Sequence, residues 1–499
     1  MKIGINLGTT FSVVARIQGD KPEVLSNREG ARLTPSVVLV QEDGKVIVGE
    51  PAKEQAVILP NGVVSAVKNY MGRKHVFHLA DGKDYTPEMI SSLILRRLVQ
   101  DAERTSGEKV DGAVVTIPAY FTDAQRKATE DAAQLAGLNL LSTINEPTAA
   151  AMYYASQAKS GDPKNIMVYD LGGGTFDVTI VRTQGTDVRA LSTHGLQRVG
   201  GKFFDQFIVD HVCRHFSENH GIELEDEEYV DEYQELMLKA ETCKIQLSSK
   251  ESAVIPLRVG KVKDSVTVTR ELLEQEVMKL YMRTEASMRK ALQDAGLTIQ
   301  QLDQVVLVGG SSKIPLIQRQ LAQFTALTPS MEVNPDEAVA LGAAIFASTL
   351  EGSGREEKLA SISDVCSHGI GIVTLTRELE QINHVLIPRN TRIPCSEEET
   401  FYTTMENQAS IRLTLTEGDF AELCDVTELA TQTIDLPSGL PKGTEVIVVL
   451  KLDAGQLLHL YVKIPTAHID KEFTIARHQN MDLDKLRELQ GIMLEKEIL

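Results

Sequence analysis

Residues 168–177 read VYDLGGGTFD. The apolar run Ile166, Met167, Val168 and Tyr169 enters three glycines. Beyond them Phe176, Val178, Ile180 and Val181 alternate with polar residues, so the stretch predicts a strand, a tight turn and a second strand. Gly172, Gly173 and Gly174 lack Cβ atoms, so the backbone there can lie close against a ligand and present its N–H groups to an anion. Asp170 and Asp177 bracket the turn, and carboxylates beside a phosphate imply a cation between them. Taken alone, a glycine-rich hairpin is the plainer account.

The chain repeats the pattern. Residues 3–14, IGINLGTTFSVV, carry the same core of a polar residue, Leu, Gly and small residues before an alternating strand. Asn6 and Asp170 hold equivalent places about 160 residues apart, roughly one domain's length. Such a repeat predicts two similar lobes clamping one nucleotide. A third turn, in 305–315 (VVLVGGSSKIP), places Gly309 and Gly310 between a buried strand and a helix start, another natural anion contact. Together the three turns favour nucleotide binding over plain hairpins.

At 499 residues the chain suits two or three domains. Its net charge of −19 argues against a general nucleic-acid binder and leaves an acidic surface open to basic protein partners. The five cysteines are scattered without a CxxC, which favours a reducing compartment over a disulfide framework or zinc ribbon. The chain opens directly into a strand, and no apolar run reaches the ~18 residues of a membrane span. These features predict a cytoplasmic protein without nucleic-acid or membrane partners.

Local patterns give further expectations. Residues 85–106 predict an amphipathic helix with Pro87 near its start. Thr122 and Gln125 predict a capping box for the helix that follows. The sequence 334–337 (NPDE) predicts a helix start with Asn334 as N-cap and acids in the first turn. Residues 236–249 have helical period, placing Glu241, Lys244 and Ser248 on one face. Cys243, in that helix, reads as a small packed residue. His211 and His215, one turn apart, have a spacing that can hold a metal, but the sequence offers no evident third ligand. Residues 351–358 (EGSGREEK) read as the end of a domain and the start of a flexible linker. From 365 to about 474 short alternating strands and Gly/Pro turns predict an all-β module. A last helix follows, with an apolar stripe of Leu483, Leu486, Leu489 and Met493 and Asp482 as its cap.

The three turns, with 116–129 (TIPAYFTDAQRKAT), 144–151 (INEPTAAA) and 333–345 (VNPDEAVALGAAI), resemble the Hsp70 (seventy-kilodalton heat-shock) chaperone family, almost continuously from Lys2 to about Ala347. The β-module is similar at 386–394 (LIPRNTRIP) and around 436–457. The resemblance implies an α/β actin-like two-lobed ATPase domain over 1–350, a linker over 351–364, a β-sandwich substrate-binding domain over 365–480, and a C-terminal helix over 481–499 too short for the family's long lid. It implies ATP/ADP and Mg²⁺ as cofactors, and extended apolar segments of unfolded polypeptides as clients. J-domain co-chaperones and nucleotide-exchange factors are the implied helpers.

The resemblance also assigns residues. Lys68 would reach the transferred phosphate and position the attacking water, with Glu146, Asp170 and Thr175 as the other catalytic groups. Gly8, Thr9, Thr10, Gly172, Gly173, Gly174, Thr175, Gly200 and Gly201 would hold phosphates. Glu241 and Lys244 would take the ribose hydroxyls and Ser248 the base edge, with Gly309, Gly310, Ser311, Lys313 and Asp336 also at the nucleotide. Mg²⁺ would be held mainly through water near Asn6, Asp170 and Asp177. Ile372, Leu375, Phe401, Ile411 and Leu413 would line the peptide groove. Pro118 and Arg126 would relay nucleotide state between domains; read locally, they are a strand end and a helix charge.

Three departures stand out. Asn6 occupies a family Asp position, and an amide cannot supply the charge that orients metal-bound water, so slower hydrolysis is expected. The linker reads Leu-Ala-Ser-Ile-Ser (359–363) where the family has leucines. Ser142 replaces a basic residue used toward J-domain partners, while Asp364 is kept. Besides a chaperone, an ATP-switched scaffold or co-chaperone with little turnover fits Asn6 and the polar linker, and a small-molecule kinase of the same fold is the third class.

Overall fold

The computed structural model describes residues 1–56, 58–59, 62–157, 161–185, 187–330, 334–350, 362–376, 378, 380–453, 455–475 and 483–499. Most of the expected linker, and the Asp482 cap, lie outside these residues.

Two central sheets carry the repeat expected from the glycine turns. In the first lobe the strand Lys2–Asn6 runs parallel to Gly112–Ile117 and antiparallel to Phe11–Gln18, which pairs with Lys21–Leu25. In the second lobe Lys164–Leu171 runs parallel to Gln304–Val308 and antiparallel to Thr175–Gln184, which pairs with Asp187–Gln197. Each glycine turn therefore joins the first antiparallel pair of its lobe. Gly112–Ile117 is buried along its whole length, as a strand covered on both faces must be.

The helices Glu146–Gln157 and Ala338–Thr349 are wedged between the sheets through small residues. A Cβ at Gly342 would lie 1.7 Å from the Ala149 oxygen, so only glycine permits this approach. The helix Pro87–Ser106 begins at Thr86, whose Oγ1 accepts from the Met89 N–H, and Thr122 and Gln125 form the expected capping box. In the NPDE segment Asn334 caps as expected, its Oδ1 accepting from the Asp336 N–H at 3.2 Å and its backbone oxygen from the Ala338 N–H at 3.1 Å, but 335–337 form a turn and the regular helix begins only at Ala338. Two ion pairs engage the acids, Asp336 with Lys313 and Glu337 with Arg32, the latter with both N–O distances 2.7 Å.

Residues 370–475 build a sandwich. One sheet orders Gln381–Ile387, Ile370–Leu375, Ser410–Glu417 and Thr427–Asp435; the other orders Cys395–Tyr402, Glu445–Leu452, Leu458–Ile464 and Ile469–Ile475. The inward residues of both sheets form one core.

This module is seated on both lobes. Ile362–Ser363 adds a parallel edge strand to the second sheet, beside Val188 and Arg189. Asp364 Oδ2 accepts from Asn145 Nδ2 at 2.6 Å and from the Thr148 hydroxyl at 3.2 Å. Ser367 Oγ donates to the Ala119 oxygen, and His368 Nε2 lies 3.2 Å from the Tyr120 oxygen. Glu417 accepts from the Asp123 N–H at 3.2 Å, a carboxylate at a helix N-terminus. On the second lobe Asn390 Oδ1 accepts from the Thr193 N–H at 2.9 Å.

The helix Leu483–Glu495 lies on the first lobe, with Leu486 and Met493 in that lobe's core and Leu489 packed against it. Arg96 donates to the Met493 and Lys496 oxygens, and the Val46 N–H donates to the Glu497 oxygen at 3.0 Å, so the final residues pair with the outer sheet of that lobe.

Two histidines titrate against this docking. Burial, and then neighbouring cationic charge, pushes His368 and His194 down to about 4. The seated state thus binds fewer protons than the separated one between roughly pH 6.5 and 4, and docking weakens as pH falls through that window. Asp364 and Asp419, raised by burial, act in the opposite sense. Energy transfer between dyes on the two-lobed part and the β-module is expected to report separation between pH 7 and 5 that is smaller in His368→Gln. Equal acid sensitivity in both proteins contradicts the assignment to His368.

Candidate active site

A cavity of about 360 Å³ opens between the lobes. Gly8, Thr9 and Thr10 line it from the first lobe, and Gly172, Gly173 and Thr175 from the second. The two turns nearly touch: a Cβ at Gly173 would come within 2.3 Å of Thr10 Oγ1, and one at Gly174 within 2.2 Å of Asn69 Oδ1. Gly174 therefore faces Asn69. Gly201 supports the turn from behind, its N–H donating to the Gly172 oxygen at 3.0 Å. Gly200 packs at the same place with φ 138°.

The floor is ionic. Lys68 and Glu146 are both buried and paired at 2.5 Å, and Lys68 also lies 5.7 Å from the Phe121 ring centre. Asp170 and Asp177 face each other across the antiparallel pair, and both are buried. Burial, then Glu146, then Asp177 hold the Asp170 carboxyl well above the usual carboxylate range. Burial and then Glu146 push Asp177 up to about 7. Asp177 Oδ1 accepts from the Tyr120 N–H at 3.3 Å. Asn6 lines the same floor, its Oδ1 accepting from the Thr116 hydroxyl at 3.2 Å. Buried carboxylates raised by one another, with a single lysine among them, are a hard-oxygen donor set that lacks positive charge. That set fits Mg²⁺ held largely through water.

The far wall comes from the helix Val230–Leu247 and the third glycine turn. Glu241 and Lys244 line the cavity; Ser248 sits at the helix C-cap, outside the lining residues. Glu241 pairs with Lys53 of the first lobe at 2.6 Å, so the outer parts of the lobes meet across the opening. Burial alone would raise the Glu241 carboxyl, but Lys202 and Lys53 outweigh it and hold it low. Lys244 pairs with Asp205 at 2.7 Å and donates to the Gly201 oxygen at 3.1 Å. Gly309, Gly310, Ser311, Lys313 and Asp336 line the end of the cavity, and Ser311 Oγ donates to the Gly172 oxygen at 2.8 Å.

Lys53, Lys202, Asp205 and Asn69 belong to this site and were missed in the sequence. Lys53 stands in an unremarkable PAKEQAV segment, and Lys202 and Asp205 follow the Gly200 turn with no spacing that marks them. The expected groove residues are dispersed: Ile372 and Leu413 are in the sandwich core, Phe401 and Ile411 pack against it, and Leu375 is exposed.

Removing Lys68 leaves Glu146 buried without its partner. Lys68→Met is expected to destabilise the nucleotide-free protein by about 3 kcal/mol or more. Adding Glu146→Gln should restore part of the loss. Denaturant unfolding of the three proteins checks this, and an unchanged single variant contradicts it.

Among the described residues no helix is long and apolar enough to cross a membrane. The family model for the Hsp70 protein matches residues 2–497 of the 499-residue chain. With paired glycine turns from two like-built lobes over a carboxylate floor, and a β-sandwich seated beside them, the chain belongs to the Hsp70 family of ATPase chaperones.

Proposed function

We propose that this chain binds ATP with Mg²⁺ between its lobes, hydrolyses it slowly, and couples nucleotide state to the holding and release of extended apolar polypeptide segments by the β-sandwich. One observation supports the coupling above all others. Asn145 holds linker residue Asp364, and its neighbour Glu146 holds Lys68 in the cavity floor. A second route runs alongside: Asp177 accepts from the Tyr120 N–H, and the Tyr120 oxygen faces His368 of the β-module. Arg126 ties the two together through Asn145 Oδ1 at 3.1 Å and the Ala119 oxygen at 3.0 Å. A shift of the floor by a nucleotide therefore acts on both anchors of the module, as a two-state coupling between sites requires.

In this reading the Gly8–Thr10 and Gly172–Thr175 turns present N–H and hydroxyl groups to phosphates, and Glu241 and Lys244 meet the adenosine. Mg²⁺, when bound, would offset phosphate charge beside Asp170 and Asp177. Lys68 orients the attacking water, and Glu146 holds Lys68 in place. Phe401, Ile411 and Leu375 supply apolar surface for an extended client. J-domain and exchange-factor partners follow from the family in general terms.

Dissociation of a fluorescent extended apolar peptide, with and without MgATP, tests the coupling. Faster release with ATP is expected; release indifferent to ATP, with ATP bound, overturns it. Asn6→Asp is expected to raise the single-turnover hydrolysis rate severalfold while leaving ATP affinity within about threefold, because the added charge acts on the water rather than on nucleotide binding. An unchanged or lower rate removes Asn6 as the cause of slow turnover.

A further inference from the structure

The third ligand that the sequence did not reveal for a metal on the helix Gly201–His220 comes from a different element. His215 and His220, the latter the helix's last residue, both direct Nε2 at Asp264 Oδ2, at 2.9 and 2.8 Å. Asp264 lies on the strand Val262–Thr269 of the neighbouring hairpin. The three ligand atoms all fall within 4.8 Å of one another. His211 is not one of them, so the i, i+4 pair of the sequence is not the pair that converges.

We propose that His215, His220 and Asp264 form a zinc-type site on the outer part of the second lobe, remote in sequence from the nucleotide-binding turns. Three features favour an ion over a simple hydrogen-bonded trio. First, two imidazole nitrogens and a carboxylate oxygen from separate elements converge on one point, a donor set that a zinc-type cation accepts. Tetrahedral coordination at zinc distances needs ligand atoms roughly 3.3 Å apart; each nitrogen–oxygen pair reaches that by opening about half an ångström, and the two nitrogens lie within 4.8 Å of each other. Secondly, the ligands are already oriented. Asp264 Oδ1 is held by the Ser265 N–H at 2.7 Å, and the fully buried Phe216 ring packs against both histidine rings. Asn219 Nδ2 lies 3.2 Å from His215 Nδ1. That amide also donates to the His215 oxygen at 2.8 Å, which ties the last turn of the helix to the ring. Thirdly, the side chains retain about 30% exposure, so an ion can enter and keep a water in its fourth position.

Two imidazole nitrogens and one carboxylate select a first-row d-block ion of the zinc type over Mg²⁺ or Ca²⁺, which take oxygen ligands. The ion would pin the helix end to the hairpin. That hairpin's other strand, Ser252–Val259, packs on the helix carrying Glu241 and Lys244, so the pin stiffens the wall of the cavity without touching it.

The test uses the full chain, without an affinity tag, stripped of nucleotide and metal. Zn²⁺ is titrated in competition with a chromogenic chelator, and Co²⁺ absorption reports the coordination geometry. One tight equivalent is expected in the parent and in His211→Ala, with tetrahedral Co²⁺ bands. His220→Ala and Asp264→Asn should each weaken binding about tenfold or more and abolish the rise in unfolding temperature that Zn²⁺ gives the parent. His220→Gln, which keeps size and polarity at an exposed helix end, guards against loss by misfolding, with far-ultraviolet circular dichroism as the check. Parent binding no tighter than that of His215→Ala/His220→Ala overturns the site. So does zinc binding that survives both His220→Gln and Asp264→Asn.

Discussion

The buried Lys68–Glu146 pair governs the centre of this molecule. A lysine and a glutamate removed from water hold their charges only because each neutralises the other. Around them Asp170 and Asp177 are raised by the same burial and by Glu146. These two carboxyls of the cavity floor therefore hold their protons more tightly than exposed ones, and a cation entering from above would favour their release. Two sheets, two glycine turns and the loop at 119–121 meet there, and the loop satisfies Asp177 through the Tyr120 N–H.

The same constraint reaches the β-module. Asn145 and Glu146 are consecutive, so the backbone that fixes the glutamate also fixes the amide that grips Asp364. The module adds its own polar fasteners on both lobes, and the linker extends the second sheet by one strand. The named contacts are hydrogen bonds, from Asp364, Ser367, Asn390 and Glu417. An interface of that kind is released more readily than a domain core. The C-terminal helix, by contrast, buries Leu486 and Met493 in the first lobe, and its final residues join that lobe's sheet.

The repeat of the glycine turns made the two-lobed plan legible, because a strand–turn–strand unit with the same polar and apolar order must build the same local pairing wherever it occurs. The capping box at Thr122 and Gln125 was equally plain, since both partners lie within one turn of helix. The NPDE segment was legible in part: Asn334 caps the turn through contacts two and four residues along, while the partners of its acids, Lys313 and Arg32, are distant in the chain.

The sequence by itself determined what depends on neighbours along the chain: strand and helix periods, the glycine turns, the order of the domains, and the family to which these motifs belong. Only the tertiary structure decided what depends on neighbours across space. Lys53 meets Glu241 from the opposite lobe, Asp264 meets two histidines of another element, and the last helix turns back to the first lobe. Pairings of that sort are set by how packed surfaces bring remote side chains together, and no local pattern encodes which lysine or carboxylate will arrive.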